Sequence, residues 1–260
     1  MKKIKRKTML YKTGVEYGDY TLNHVQGCFH GCKFPCYAMQ MAKRFGKIKC
    51  YEEWIEPYIV ENTLELLDLE LPKLSKRIKF VHMCFTTDPF MSGFPEVEEM
   101  SLSIISKINS YNIPVEILTK GILPFKLKQI SNNRDNVFGI TLVSLSEKFR
   151  EKYEPGASLY NDRIKSLREC HDNGMKTWVS IEPYPTPNIC EQSLVDLLEA
   201  ISFVDYIVFG RWNYNKEVGS YKNCKVFYNE QSKIVETFCL KRGIKLHIKE
   251  GTRMIGESDR

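Results

Sequence analysis

The chain contains no run of eighteen or more apolar residues, so a membrane-spanning helix is not supported. Its basic start, Met1-Lys2-Lys3-Ile4-Lys5-Arg6-Lys7, has no apolar stretch behind it, which removes the case for a secretory signal and makes the cytoplasm the expected compartment. Also missing are an internal repeat, a low-complexity tract and a Pro- or Ser-rich linker. Nothing divides the 260 residues, so one large domain over 20–250 is expected, with a basic N-terminal extension over 1–19 and a tail over 251–260. An apolar content of 43% against 27% charged excludes disorder and leaves ample material for a core. Nine cysteines cannot all pair, and Cys50, Cys84, Cys170, Cys190, Cys224 and Cys239 show no paired short spacing. In a reducing compartment such residues read as buried thiols, not as a disulfide framework.

Charge is mildly one-sided. The formal net charge is +6, and five Lys/Arg fall within residues 2–7. Such a run is open to contact with a polyanion, but a solvated and mobile terminus is the preferred reading.

What the chain does have is alternation. Strands are expected over 20–25, 78–85, 115–119, 137–143, 176–181 and 204–209, with 245–248 as a seventh; helices are expected over 37–45, 53–69, 97–110, 124–130, 159–173, 191–201 and 229–241. This is the pattern of parallel βα units. A partial (βα)6 barrel of the TIM type fits best, and a doubly wound open α/β sheet shares the same one-dimensional pattern.

In either architecture chemistry collects beyond the C-terminal ends of the strands. Every such position here carries something polar: Thr86-Thr87-Asp88-Pro89, then Thr119-Lys120-Gly121, Ser144, Glu182-Pro183 and Gly210-Arg211-Trp212-Asn213. Singly, each is an ordinary turn or cap residue. Their recurrence at one predicted face points to a site.

The first of these loops is the run Gly27-Cys28-Phe29-His30-Gly31-Cys32-Lys33-Phe34-Pro35-Cys36-Tyr37-Ala38. Gly27, Gly31 and Pro35 discourage helix, so a wrapping loop is expected to aim Cys28, Cys32 and Cys36 inward. Thiolates select zinc or an iron–sulfur cluster, and three ligands on a four-iron cubane leave one iron free for another ligand. Zinc competes, since His24 or His30 would complete a Cys3His set.

The cysteine run resembles the radical S-adenosylmethionine (radical SAM) superfamily, in which a three-cysteine loop after the first strand of a partial barrel holds a 4Fe-4S cluster. That family's usual spacing is Cys-x3-Cys-x2-Cys, whereas the second interval here is one residue longer. Thr-Thr-Asp-Pro-Phe at 86–90, Ile-Leu-Thr-Lys at 117–120, Tyr-Glu-Pro-Gly-Ala at 153–157 and Val-Ser-Ile-Glu-Pro at 179–183 look like the branch related to spore photoproduct lyase. The resemblance implies that Cys28, Cys32 and Cys36 hold the cluster and that S-adenosylmethionine is the cosubstrate. It further implies Tyr37 beside the adenine, Thr87 and Asp88 at the methionine amino group, Lys120 facing the carboxylate, Ser144 hydrogen-bonding the cofactor, and Glu182 in the same pocket. An electron donor such as flavodoxin or ferredoxin is the implied partner.

The resemblance implies reductive cleavage of S-adenosylmethionine to methionine and a 5'-deoxyadenosyl radical, which takes hydrogen from a substrate. Nucleic acid is one candidate substrate, with residues 211–215 offering stacking and hydrogen-bonding groups or else a buried tryptophan. Lys126, Lys128, Arg163, Lys165 and Arg168 read as solvated helix faces. In spore photoproduct lyase a hydrogen-donating cysteine stands three residues before the motif aspartate; here that place is Phe85, and the adjacent Cys84 reads as a core thiol. The second function class is a non-catalytic zinc or iron–sulfur protein that uses the cysteine loop for structure or electron transfer.

Overall fold

The computed structural model describes residues 1–254. In chain order the elements are β1 (Lys2–Ile4), β2 (Tyr11–Lys12), β3 (Tyr20–Leu22), β4 (Val25–Gln26), α1 (Tyr37–Arg44), α2 (Tyr51–Trp54), β5 (Tyr58–Val60), α3 (Thr63–Leu74), β6 (Val81–Met83), α4 (Pro95–Asn109), β7 (Val115–Thr119) and α5 (Leu127–Ile130). They continue with β8 (Val137–Thr141), α6 (Glu147–Tyr153), α7 (Tyr160–Asp172), β9 (Lys176–Tyr184), α8 (Leu194–Ala200), β10 (Tyr206–Arg211), α9 (Lys216–Ser220), α10 (Cys224–Arg242) and β11 (Lys245–Ile248).

The main sheet runs β2-β3-β6-β7-β8-β9-β10-β11, and every pair from β3 onward is parallel. This order decides between the two architectures left open by the sequence. A doubly wound sheet reverses its strand order at a switch point, whereas here each strand is laid beside its predecessor in one direction. The fold is a partial TIM-type barrel. Antiparallel β2 is one edge and β11 the other.

Side chains bridge the gap between those edges. Glu16, in the loop between β2 and β3, lies 3.1 Å from Nε2 of His247 on β11 and accepts from the Glu250 N–H at 3.2 Å. Beside it the Tyr17 ring meets His247, Trp178, His82 and Phe85 edge-on across the barrel interior.

Local chemistry explains the helix boundaries. Ser146 and Ser193 cap α6 and α8 by accepting from the N–H groups of Phe149 and Asp196. Pro95 takes the first turn of α4, where its missing N–H costs nothing. Gly243 ends α10 at φ 68°, a left-handed cap.

Two expectations are corrected. The helix expected over 53–69 is α2, then β5, then α3; Pro57 interrupts the helical run and Tyr58-Ile59-Val60 favours strand. The 1–19 segment, expected as a loose basic extension, is woven into the domain. Lys2–Ile4 pairs with Tyr58–Val60, Arg6 donates to the Asn23 carbonyl at 2.8 Å, and Met9 is fully buried with its N–H on the Glu70 carboxylate. The lysine side chains stay exposed while the backbone pairs, so a charge run says little about main-chain bonding. Of the expected C-terminal tail, residues 255–260 lie outside the described residues, whereas Thr252 is buried and Met254 bonds Asn229.

Candidate active site

The cysteine run is a wrapping loop, as its glycines and proline demand, and distant segments hold it. The Cys28 N–H donates to the Trp54 carbonyl at 2.8 Å, the Tyr51 hydroxyl to the Gly31 carbonyl at 2.7 Å, and the Lys33 N–H to the Tyr153 carbonyl at 2.8 Å. Gly27 adopts φ 85°, and a Cβ there would stand 2.8 Å from the Trp54 oxygen. Gly156 donates to the His30 carbonyl at 3.0 Å, and a Cβ on it would lie 2.2 Å from the Phe29 oxygen, so only glycine fits. Cys36 is the N-cap of α1. Burial pushes all three thiols up, and for Cys28 the Asp88 carboxylate and the other two sulfurs add to it. Metal coordination is the chemistry that turns such crowded thiols into thiolates.

The donor set fits a cluster better than a single zinc. His24 and His30, the expected fourth ligands for zinc, are both engaged elsewhere. His24 faces Ser101 and Cys84, while His30 faces the Gly156 carbonyl at 3.2 Å and the Asp88 carboxylate at 2.9 Å. Among the described residues no group of three or more His, Cys, Asp or Glu converges on one ion.

Asp88, expected at the amino group of the methionine moiety, turns its buried carboxylate to partners within the protein. Oδ1 accepts from the Phe90 N–H at 2.8 Å and the Thr119 hydroxyl at 2.6 Å; Oδ2 accepts from the Lys120 N–H at 2.7 Å and faces His30 Nε2 at 2.9 Å. Burial alone would raise its pKa, but His30 and these hydrogen bonds outweigh it and hold the carboxyl below its usual range. Asp88 thereby ties the cysteine loop to the ends of β6 and β7. Its neighbour Thr87 is the free group: its buried hydroxyl oxygen has no hydrogen-bond partner.

Lys120 reaches the loop from β7. Its Nζ lies 5.1 Å from the centroid of Phe34, between the second and third cysteines, and pairs with Glu154. Glu154 is fully buried and also bound to buried Arg163 at 2.9 Å. Burial would raise the Glu154 carboxyl, but the two cations overcome that and hold it at about 2. Ser144, just beyond β8, is buried; its oxygen accepts from the Ser146 N–H at 3.0 Å and lies 3.8 Å from the Cys190 sulfur. Glu182 pairs with Lys249 at 2.9 Å, and burial raises its pKa. Tyr37, 48% exposed, sends its hydroxyl to the Phe85 carbonyl.

The family model of the radical SAM superfamily matches residues 22–201, more than half of the chain. The chain belongs to the radical SAM superfamily. Enzymes of this superfamily use a 4Fe-4S cluster and S-adenosylmethionine, which are therefore this chain's cofactors. Among curated proteins it is 28% identical over 195 residues to the uncharacterised protein ORF301 of Acidianus two-tailed virus, covering 72% of this chain and 64% of that one. It is 25% identical over 183 residues to the uncharacterised protein MJ0683 of Methanocaldococcus jannaschii, covering 70% and 66%. The chain thus spans just under two thirds of these relatives' length. Among solved structures, a spore photoproduct lyase variant with bound AdoMet and dinucleoside spore photoproduct superposes with a TM-score of 0.70 at 14% identity, covering 95% of this chain and 80% of that one. Streptococcus suis SuiB superposes at 0.52 with 12% identity, covering 74% and 43%.

Within this radical SAM chain, the sequence missed Arg163 and Lys249. Arg163 was read as part of a solvated helix face; it is fully buried, with bonds to the carbonyls of Ser158 and Thr141 as well as to Glu154. Its charge concealed it. Glu154 and Gly156 sat inside the quoted Tyr-Glu-Pro-Gly-Ala motif, so a signal for them existed. Trp212 is the buried tryptophan, packed edge-on to Phe34, Phe149 and Tyr153, and only Tyr214 of its loop is widely exposed. Phe85 stacks on His82 with ring centroids 3.5 Å apart in the barrel interior, whereas Cys84 turns away toward His24.

Proposed function

We propose that this chain is a radical SAM enzyme whose Cys28, Cys32 and Cys36 hold the cluster and whose strand-end residues bind S-adenosylmethionine for hydrogen abstraction from a substrate, with nucleic acid the first class to test. When bound, the cluster supplies one electron to the sulfonium, whose carbon–sulfur bond cleaves to methionine and a 5'-deoxyadenosyl radical that takes a hydrogen atom from the substrate. The reading is carried by one observation: a three-cysteine loop, with Cys32 buried and Cys28 and Cys36 half-buried, shares its rim with an unpartnered hydroxyl on Thr87 and an ammonium on Lys120.

Each residue then has a task. Thr87 offers its free oxygen to the methionine amino group, and Asp88 positions that threonine by fixing the loop on both sides. Lys120 turns from Glu154 toward the methionine carboxylate, while Arg163 keeps Glu154 neutralised. Ser144 donates its hydroxyl to the cofactor, and Glu182, held by Lys249, accepts from it. Tyr37 lies against the adenine. The packed Tyr17, His82, Phe85 and Trp178 rings seal the barrel below and exclude water from the radical.

Anaerobic reconstitution, iron and sulfide counts and assay of 5'-deoxyadenosine after dithionite reduction test this. The expected result is a brown protein that cleaves S-adenosylmethionine, with colour and cleavage both lost in Cys32→Ala. A colourless protein that retains one tightly bound zinc under anaerobic preparation overturns it. Hydrogen abstraction from lesion-containing DNA, transfer RNA or peptides then identifies the substrate.

A further inference from the structure

α1 begins at the third cysteine and carries an unusual outer surface. Beyond Tyr37, which turns its hydroxyl to Phe85, Met41 and Phe45 stand four residues apart and so share one face. They are 45% and 65% exposed. Around them stand Lys33, Lys43, Arg44, Lys47 and Lys49, all exposed, with no acidic residue anywhere from 33 to 49. The first acids that follow are Glu52 and Glu53, and Glu53 is occupied by the Lys49 N–H at 2.6 Å. Among the described residues Lys43, Arg44 and Lys47 form no ion pair.

Cations in the last turn of a helix offset its dipole, which accounts for Lys43 and Arg44. That effect does not explain an apolar ridge left in water beside them. Apolar, methionine-containing ridges set among unpaired charges are the composition of a protein-docking surface with a steered approach.

We infer that this face of α1 and the turn after it dock an acidic electron-transfer protein carrying a flavin or an iron–sulfur group. The inference rests on the proposed function, which needs one electron per cleavage. In the docked complex the partner is oxidised by one electron and the metal group held by the cysteines is reduced by one; no bond is made or broken. Position favours this partner over nucleic acid. Met41 is five residues beyond Cys36, about 7.5 Å along the helix axis, so a partner seated here brings its redox group near the cysteines. A phosphate backbone would use the cations and leave Met41 and Phe45 unused.

Two variants test the surface, Lys43→Glu/Arg44→Glu/Lys47→Glu and Phe45→Ser, with flavodoxin as the probe. In binding measurements on the reconstituted protein at low and high salt, the triple variant is expected to weaken flavodoxin affinity at least about tenfold and flatten its salt dependence. Phe45→Ser is expected to weaken affinity without changing the salt dependence. Flavodoxin-driven formation of 5'-deoxyadenosine should fall in parallel, while dithionite-driven formation stays at the parent rate. Unaltered flavodoxin binding in both variants overturns the inference, as does loss of oligonucleotide binding with flavodoxin binding intact. A parent protein that binds flavodoxin through this face yet yields no 5'-deoxyadenosine with dithionite contradicts the proposed function and leaves the docking surface standing.

Discussion

The Sγ of Cys84 lies 3.4 Å from Nδ1 of His24, and the bond is one link in a directed chain. Ser101 spends its only proton on the Pro89 carbonyl at 2.7 Å, so at 2.9 Å it must accept from His24 Nε2. The neutral ring then presents a lone pair at Nδ1, which the Cys84 thiol fills. Burial sets both states: it holds His24 down at about 4 and pushes the thiol up to about 12. Cys84 adopts φ 65°, a left-handed conformation for a residue with a Cβ. Replacing it with Ser should preserve the bond and leave stability nearly unchanged, whereas Ala should cost about 1–3 kcal/mol by stranding the ring nitrogen. Both variants should form 5'-deoxyadenosine at parental rates, and thermal melts beside that assay decide the matter.

His24 also makes stability depend on pH. Its folded pKa lies below its unfolded value near 6.5, so the unfolded chain binds the extra proton and stability falls with pH from about 6.5 down to about 4. Between pH 6.5 and 5 this one group should remove about 2 kcal/mol, at ~1.4 kcal/mol per pH unit. Urea unfolding at a series of pH values should show the slope, and His24→Gln, which takes up no proton, should flatten it.

Asp88→Asn puts an NH2 group against donors that need an acceptor. The expected loss is about 2–5 kcal/mol, the range for breaking a buried charged pair. Because the same carboxylate faces His30 in the cysteine loop, reconstituted iron and sulfide should fall as well. Retention of full iron content would separate Asp88 from the loop's integrity.

Lys120→Met should leave iron content unchanged and weaken S-adenosylmethionine binding by about tenfold or more, the worth of a charge-assisted hydrogen bond. Glu154 keeps Arg163 as its partner, so the fold survives the change. Equilibrium dialysis with labelled cofactor reads the effect.

The strand–helix alternation and the cysteine loop were visible because both are local patterns: β3 and β6 to β11 follow their apolar runs, and the three cysteines fall within nine consecutive positions. β5 escaped because three strand residues are too few to break an apparent helical period. Asp88 was visible as a candidate site residue, but its protein partners were not, since they come from positions 30, 90, 119 and 120. Lys249 follows the last strand and meets Glu182 only through the neighbouring positions of β9, β10 and β11. Arg163 fails for another reason: a charged residue is read as solvated unless its buried counter-ions are known.

The grip of Gly156 and Tyr153 on the cysteine loop imposes a schedule on biosynthesis. His30 and Gly156 are 126 residues apart, so at a translation rate of 5–20 residues per second the thiols wait roughly 6–25 s for this wall to be made. During that interval the nascent loop lacks the contacts that shape it, and its cysteines are open to oxidation. Productive metal loading therefore follows translation of Gly156, just beyond α6, and cells with slow elongation or abundant oxygen should yield the chain largely as metal-free protein.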